Sequence, residues 1–224
     1  MRKFSISCRR CPRLAQHLDR VRDGFADYHA RPVPWFGSAR ARLLIVGLAP
    51  GMHGANRTGR PFTGDYAGIL LYDTLHRYGY ASLPVSVSAA DGLRLRDCRI
   101  TNAVKCLPPE NRPVPDEIRR CNPYLVAEIH SMPDGAAILA LGQIAHDAVL
   151  MAVGLKRSAH RFRHGGHHAL PRGQMLYDSY HCSRYNTQTK RLTPEMFRSV
   201  FDAIRGYLNP ASGSPRRRMA TTKR

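Results

Sequence analysis

Two pairs of cysteines are the first candidates for chemistry. Cys8 and Cys11 form C-x2-C, and Cys106 and Cys121 form C-x14-C. A C-x2-C turn points two thiolates at one centre. The second pair completes four ligands if the N-terminal segment folds back over it. Four thiolates suit a 4Fe-4S cluster or a zinc ion, and neither spacing is that of a compact zinc ribbon. Thiols without metal are the alternative. The chain starts MRKFSISCRRCPRL, which is basic but lacks the apolar stretch of a secretory signal, so its six cysteines are expected to be reduced. Cys98 is expected in the core, and Cys182 beside a site without acting in it.

The second candidate is the glycine-rich segment GLAPGMHGANRTGRPFTGDYAG, residues 47–68. Glycines after an apolar strand let a backbone approach a ligand closely. The segment has no G-K-[ST] and no G-x-G-x-x-G, so it is no phosphate loop of a known kind. Asp65 is its only carboxylate, and it reads equally as a helix N-cap. Phe62 is either core or a platform on which a base stacks. His160, His164, His167 and His168 raise the question of a metal site. No carboxylate lies among them, so an exposed hairpin is the expectation.

Charge narrows the partner. Thirty-five Lys+Arg against 16 Asp+Glu give +19. Such an excess seeks a polyanion, and nucleic acid is the first choice over a membrane surface. No apolar run reaches the length of a spanning helix. A cytoplasmic monomer with no membrane association is expected. Residues 1–208 read as one domain, and 209–224 (NPASGSPRRRMATTKR) as a disordered basic tail.

Elements must carry these residues. Leu43–Val46, Arg99–Val104, Ala136–Leu141 and Met175–Tyr180 read as strands. Helical spacing appears at Leu14, Leu18, Val21 and Phe25, across Ile69–Tyr78, after Pro115, over 143–153, and over 194–208 behind Thr193 and Pro194. Strands that alternate with helices predict an α/β fold with a mostly parallel sheet covered on both faces. Sites in such folds lie beyond the carboxyl ends of the strands. The segments there are 47–51, 102–106, 141–143 and 181–186, so Asn102 and His181 converge on one edge.

Three stretches carry a family resemblance: 47–65, TNAVKCLPPENRP at 101–113, and HCSRYNTQTKRLT at 181–193. Together with the four cysteines they resemble the uracil-DNA glycosylase superfamily, most closely family 5, or type B. The resemblance spans roughly residues 5–208. It implies a three-layer α/β/α sandwich with a central four-stranded parallel sheet. It also implies a 4Fe-4S cluster on Cys8, Cys11, Cys106 and Cys121 that staples DNA-facing loops, with Arg9, Arg10, Lys105, Arg112, Arg119 and Arg120 around it.

The implied reaction is hydrolysis of the N-glycosidic bond of a deaminated base in DNA, after the nucleotide is flipped from the stack. Asp65, Asn102 and His181 are the implied catalytic residues. His181 donates to the O2 region of the leaving pyrimidine, and Asn102 reads N3–H and O4 of uracil. Gly47, Ala49, Gly51, Phe62 and Asn102 form the base site. Arg57, Arg60, Arg184, Tyr185 and Lys190 meet the DNA, with Arg184 and Tyr185 as candidates to fill the gap left in the duplex. Related families place a carboxylate or Asn near positions 48–51. Here those are Leu48, Ala49, Pro50 and Gly51, which leaves Asp65 to orient water or stabilise the sugar cation. Hypoxanthine and xanthine present an N–H beside a carbonyl as uracil does. Gly51, Gly54 and Ala55 leave room for them. A noncatalytic nucleic-acid-binding protein with a structural metal centre is the competing reading.

Overall fold

The run Leu43–Gly47 is apolar on both sides of the pleat, and all of it is buried. Such a strand needs cover on both faces. In the computed structural model, which describes residues 4–210, it lies inside a six-stranded sheet. The strands are β1 (Phe36–Gly37), β2 (Leu43–Gly47), β3 (Cys98–Asn102), β4 (Ala137–Leu141), β5 (His167–Ala169) and β6 (Met175–Ser179). Their order is β1-β3-β2-β4-β6-β5. The central four, β3-β2-β4-β6, run parallel, with Leu43 opposite both Cys98 and Ala137. This is the expected four-stranded parallel core. Two short strands were not legible in the sequence: β1 and β5 lie antiparallel at the two edges. With two and three residues they carry no period that a pattern could reveal.

The helices are α1 (Pro12–Gly24), α2 (Ala55–Thr58), α3 (Tyr66–Arg77), α4 (Pro115–His130), α5 (Gln143–Val153), α6 (Arg184–Gln188) and α7 (Pro194–Leu208). Proline opens α1, α4 and α7, where its missing N–H costs nothing. Thr193 caps α7 by accepting from the Met196 N–H at 3.2 Å. The five long helices match the expected ones; α2 and α6 are too short for a helical period to show.

Alternation along the strands makes the layers. Leu43, Ile45, Ile100 and Leu139 pack against Leu71 and Leu75 of α3 and against Phe197, Phe201 and Ile204 of α7. Leu44, Val46, Ile138 and Ala140 pack against Leu125 and Ile129 of α4 and Val149 of α5. Each fully buried side chain of this size contributes about 1.5–3 kcal/mol through lost apolar exposure. The sandwich is therefore α3/α7, sheet, α4/α5. A third cluster joins Leu14, Leu18 and Val21 of α1 to Val104, Leu107 and Tyr124. The N-terminal segment thus folds back over the stretch after β3. Cys98 is fully buried in the core, as expected, and Cys182, expected beside a site, is fully buried in the same cluster. No helix among the described residues is long and apolar enough to cross a membrane. Most of the expected basic tail, from residue 211 on, lies outside the described residues; Asn209 accepts from Arg42 at 3.4 Å.

Candidate active site and metal centre

The carboxyl ends of β2, β3 and β6 open on a cavity of about 360 Å³. Its wall includes Ala49, Gly51, Ala55, Phe62, Asp65, Asn102 and His181. That volume lies within the range of small-ligand sites. The parallel register explains the convergence: Gly47, the last residue of β2, lies opposite Asn102, the last of β3.

Asn102 is 4% exposed, and its Oδ1 has no hydrogen-bond partner among the described residues. A buried acceptor left unpaired costs about 1–3 kcal/mol, so this amide is unsatisfied as it stands, against Gly47 at the edge of the cavity. Asn56 in α2 is the other buried side chain of this kind, and it is not part of the cavity wall. Gly47 sits where nothing larger fits. A Cβ there would lie 2.4 Å from Asn102 Oδ1 and 2.5 Å from the Phe62 ring. Phe62 itself is held at φ 54°, a strained value for a phenylalanine. The Tyr72 hydroxyl donates to the Pro61 carbonyl beside it at 2.9 Å and fixes that turn. The Phe62 and His181 rings lie 29° from parallel with centroids 5.9 Å apart.

His181 leaves β6 on a loop that ties itself down. Ser183 caps α6 through the Asn186 N–H, and Asn186 Nδ2 donates to the His181 carbonyl at 2.8 Å. Burial pushes the His181 pKa down to about 4, so the imidazole is neutral at pH 7. A neutral ring still offers one N–H. Asp65 is the N-cap of α3 and also lies on the cavity wall. Oδ1 caps α3 by accepting from the Gly68 N–H at 2.9 Å. The carboxylate also borders the cavity beside Gly51 and Gly54, and a Cβ on Gly54 would come within 2.5 Å of Oδ2. Burial raises the Asp65 pKa, against the opposing pull of the Gly68 and Ala67 N–H groups.

Among the expected DNA contacts, Arg57, Arg184, Tyr185 and Lys190 are exposed, and the Arg184 guanidinium lies 5.8 Å from the Tyr66 ring. Arg60 is a correction. It is 6% exposed, pairs with Asp91 at 2.7 Å, and lies over the Phe36 ring. It ties its own turn to Ser86, Ala89 and Asp91 and does not face solvent. Lys105 is a second correction to the basic surface. It is 1% exposed and its Nζ pairs with Glu128 at 2.8 Å and with the Thr101 hydroxyl. Asn111 is a wall residue that was not given a role; its left-handed φ of 57° belongs to a turn within the second motif.

Cys8, Cys11, Cys106 and Cys121 line one small pocket with Leu14, Val104 and Tyr124. Two clamps assemble it. Arg13 grips both oxygens of Glu117 at 2.8 Å, tying α1 to α4. Arg10 donates to the Arg120 carbonyl, and Arg120 donates to that of Arg10. Burial and the neighbouring thiols push the Cys106 pKa upward, and burial raises Cys121 to about 11. The Lys105 N–H donates to Cys121 Sγ and the Tyr124 hydroxyl to Cys8 Sγ, both at 3.3 Å. Hydrogen bonds to sulfur of this kind support metal-bound thiolates.

The fold and this site define a class. The family profile described as Uracil DNA glycosylase superfamily matches residues 34–205, and the chain belongs to that superfamily. Within it, the chain is 50% identical over 199 residues to a type-5 uracil-DNA glycosylase of Thermus thermophilus, covering 87% of this chain and 90% of that one. It is 42% identical over 199 residues to a type-5 enzyme of Pyrobaculum aerophilum, covering 87% and 86%. A type-4 uracil-DNA glycosylase of Archaeoglobus fulgidus is 34% identical over 141 residues, covering 62% and 57%.

Proposed function

We propose that this chain excises uracil from DNA by hydrolysing its N-glycosidic bond and leaves an abasic site. The observation that carries the reading is that Asn102, whose buried amide oxygen has no partner among the described residues, shares one cavity wall with Phe62, Asp65 and His181, so that a small turn of the amide offers that acceptor to a ligand. Uracil fills it with N3–H, whereas cytosine presents a bare nitrogen there and leaves two acceptors facing. Phe62 stacks on the extruded ring. As the bond from N1 to C1′ breaks, its electron pair moves onto the base and spreads to O2. The His181 N–H stabilises that charge, and a neutral donor does so without a proton transfer. Asp65 faces the opposite charge on the sugar and holds the water whose oxygen bonds to C1′. The water's proton passes to Asp65 and then to solvent. No lysine among the described residues lines the cavity, which supports a monofunctional enzyme with no imine to the sugar.

The same donor and acceptor pair meets N1–H and O6 of hypoxanthine or xanthine. Gly51 and Ala55 leave the cavity roomy on that side. Alkali-sensitive nicking of duplexes carrying one lesion each tests both statements. Uracil is expected to be released fastest, with hypoxanthine and xanthine behind it. Intact uracil duplexes overturn the function, and cleavage confined to uracil overturns the wider range.

The cysteine pocket fits a 4Fe-4S cluster better than zinc. Sulfurs around a tetrahedral zinc sit about 3.8 Å apart, given bonds of about 2.3 Å. Among the described residues, no three of the sulfurs lie within 4.8 Å of one another. Cys8, Cys11, Cys106 and Cys121 would hold the cluster, whose part is structural. Protein purified without air is expected to be brown with iron and sulfide in equal amounts, and Cys106→Ser to lose both. One zinc per chain and no iron contradicts this.

A further inference from the structure

The histidine-rich stretch was expected to be an exposed hairpin because no carboxylate lies among its histidines. The fold brings one from elsewhere. Asp178 of β6 is fully buried, and it accepts from His146 Nδ1 at 2.8 Å, from His168 Nε2 at 3.3 Å and from the Arg163 N–H at 3.4 Å. His146, which closes the first turn of α5, is also fully buried. Its other nitrogen, Nε2, faces the His160 carbonyl at 2.8 Å.

A carbonyl oxygen can only accept, so Nε2 of His146 carries a proton. With an ionised Asp178 on Nδ1, both ring nitrogens donate and the ring is an imidazolium. The trio His146, His168 and Asp178 is also spaced to hold a metal ion. However, donors on a tetrahedral zinc stand about 3.3 Å apart, given bonds of about 2.0–2.1 Å. The 2.8 Å separation of His146 Nδ1 from Asp178 Oδ1 is that of a hydrogen bond.

The ring closes a clasp between α5, β6 and the segment that precedes β5. That segment runs along the carboxyl end of the sheet, since the Gly165 N–H donates to the Asp178 carbonyl and the Tyr180 N–H to His164 Nδ1, one residue before His181. It carries Lys156, Arg157, Arg161 and Arg163, all exposed, and its His164 meets the strand end one residue before His181 of the cavity wall. Arg157 pairs with Asp147, while Arg161 and Arg163 have no acidic partner among the described residues. A cationic arm held at the carboxyl end of β6 suits the phosphates that flank an extruded nucleotide.

We propose that residues 156–163 form an arm that grips the DNA backbone beside the cavity, and that a proton on His146 seats it there. The inference rests on the DNA-binding part of the function given above. The groups facing His146 are Asp178 from β6, His168 from β5, the carbonyl of His160 from the arm, and Asp147 from its own helix. Burial works against the charge, but the bond and charge of Asp178 and the His160 carbonyl outweigh it and raise the pKa. The sign follows: the clasp is complete below the ordinary histidine value near 6.5 and opens as pH rises through the higher folded value.

Binding of an undamaged duplex, read by fluorescence anisotropy on the full chain with its metal centre loaded, tests this apart from base release. R161A/R163A is expected to bind about tenfold more weakly and to flatten the plot of log affinity against log salt by about two. Wild type is expected to lose affinity in a step above pH 6.5. D178N is expected to move that step to lower pH, and H146Q to abolish it. Two ring N–H protons on His146 at pH 6, seen by nitrogen-15 NMR, are the direct signature. An unchanged salt slope, a wild-type step in H146Q, a neutral His146 at pH 6, or a zinc ion lost in H168A overturns the proposal. Wild type that binds no DNA at all overturns the function beneath it.

Discussion

Asp65→Asn is expected to lower the single-turnover rate of uracil release about 10²- to 10⁴-fold, the range for a positioned acid or base. That corresponds to about 3–5 kcal/mol of transition-state stabilisation. Asparagine is the informative choice because Oδ1 caps α3 through the Gly68 N–H, and an asparagine preserves that bond. Alanine would remove the cap as well, at about 0.5–2 kcal/mol, and mix stability with chemistry. The pH profile carries the same information. The ionised form acts, and burial holds its pKa above the ordinary value of 3.8. The rate therefore falls as pH drops through that raised value, and the variant has no such limb. A buried carboxylate with a raised pKa also weakens the fold as pH rises through it. Asp65→Asn is thus expected to melt higher than wild type at neutral pH. A variant that keeps most of its rate removes Asp65 from the chemistry.

His181→Ala is expected to cost about 10²- to 10³-fold in the same assay, as removal of one preorganised donor does. Its pKa of about 4 fixes the form that acts. The ring is neutral throughout pH 5–9, so the contribution of His181 is flat across that window. Any acid limb there belongs to Asp65. The ratio of rates between wild type and His181→Ala is expected to stay constant from pH 6 to pH 9. A ratio that changes tenfold across that window assigns His181 proton transfer and contradicts the neutral-donor role.

The four parallel strands and the convergence of Asn102 and His181 were legible because apolar runs, glycine turns and strand ends are local signals. What escaped the sequence depends on partners far along the chain. Arg60 reads as a DNA contact until Asp91, 31 residues away, folds against it. Lys105 reads as a surface cation until Glu128 of α4 meets it inside. The histidine stretch read as an open hairpin because its carboxylate, Asp178, arrives from β6 by the sheet register that pairs His167 with Tyr177. Asp65 shows the opposite case. Its two readings competed in the sequence, and the structure grants one oxygen to the cap and sets the carboxylate on the cavity wall. Phe62 could be assigned to core or to stacking; it is a buried member of the core cluster and also lines the cavity beside Gly47 and His181.

The grip on an extruded base is tested most directly by a crystal structure of the chain with a duplex that carries 2′-fluoro-deoxyuridine, which resists cleavage. The uracil ring is expected outside the helix, against Phe62, with N3–H on Asn102 Oδ1 and O2 within reach of the His181 ring. A uracil that remains stacked in the duplex, or one bound with Asn102 turned away, contradicts the account.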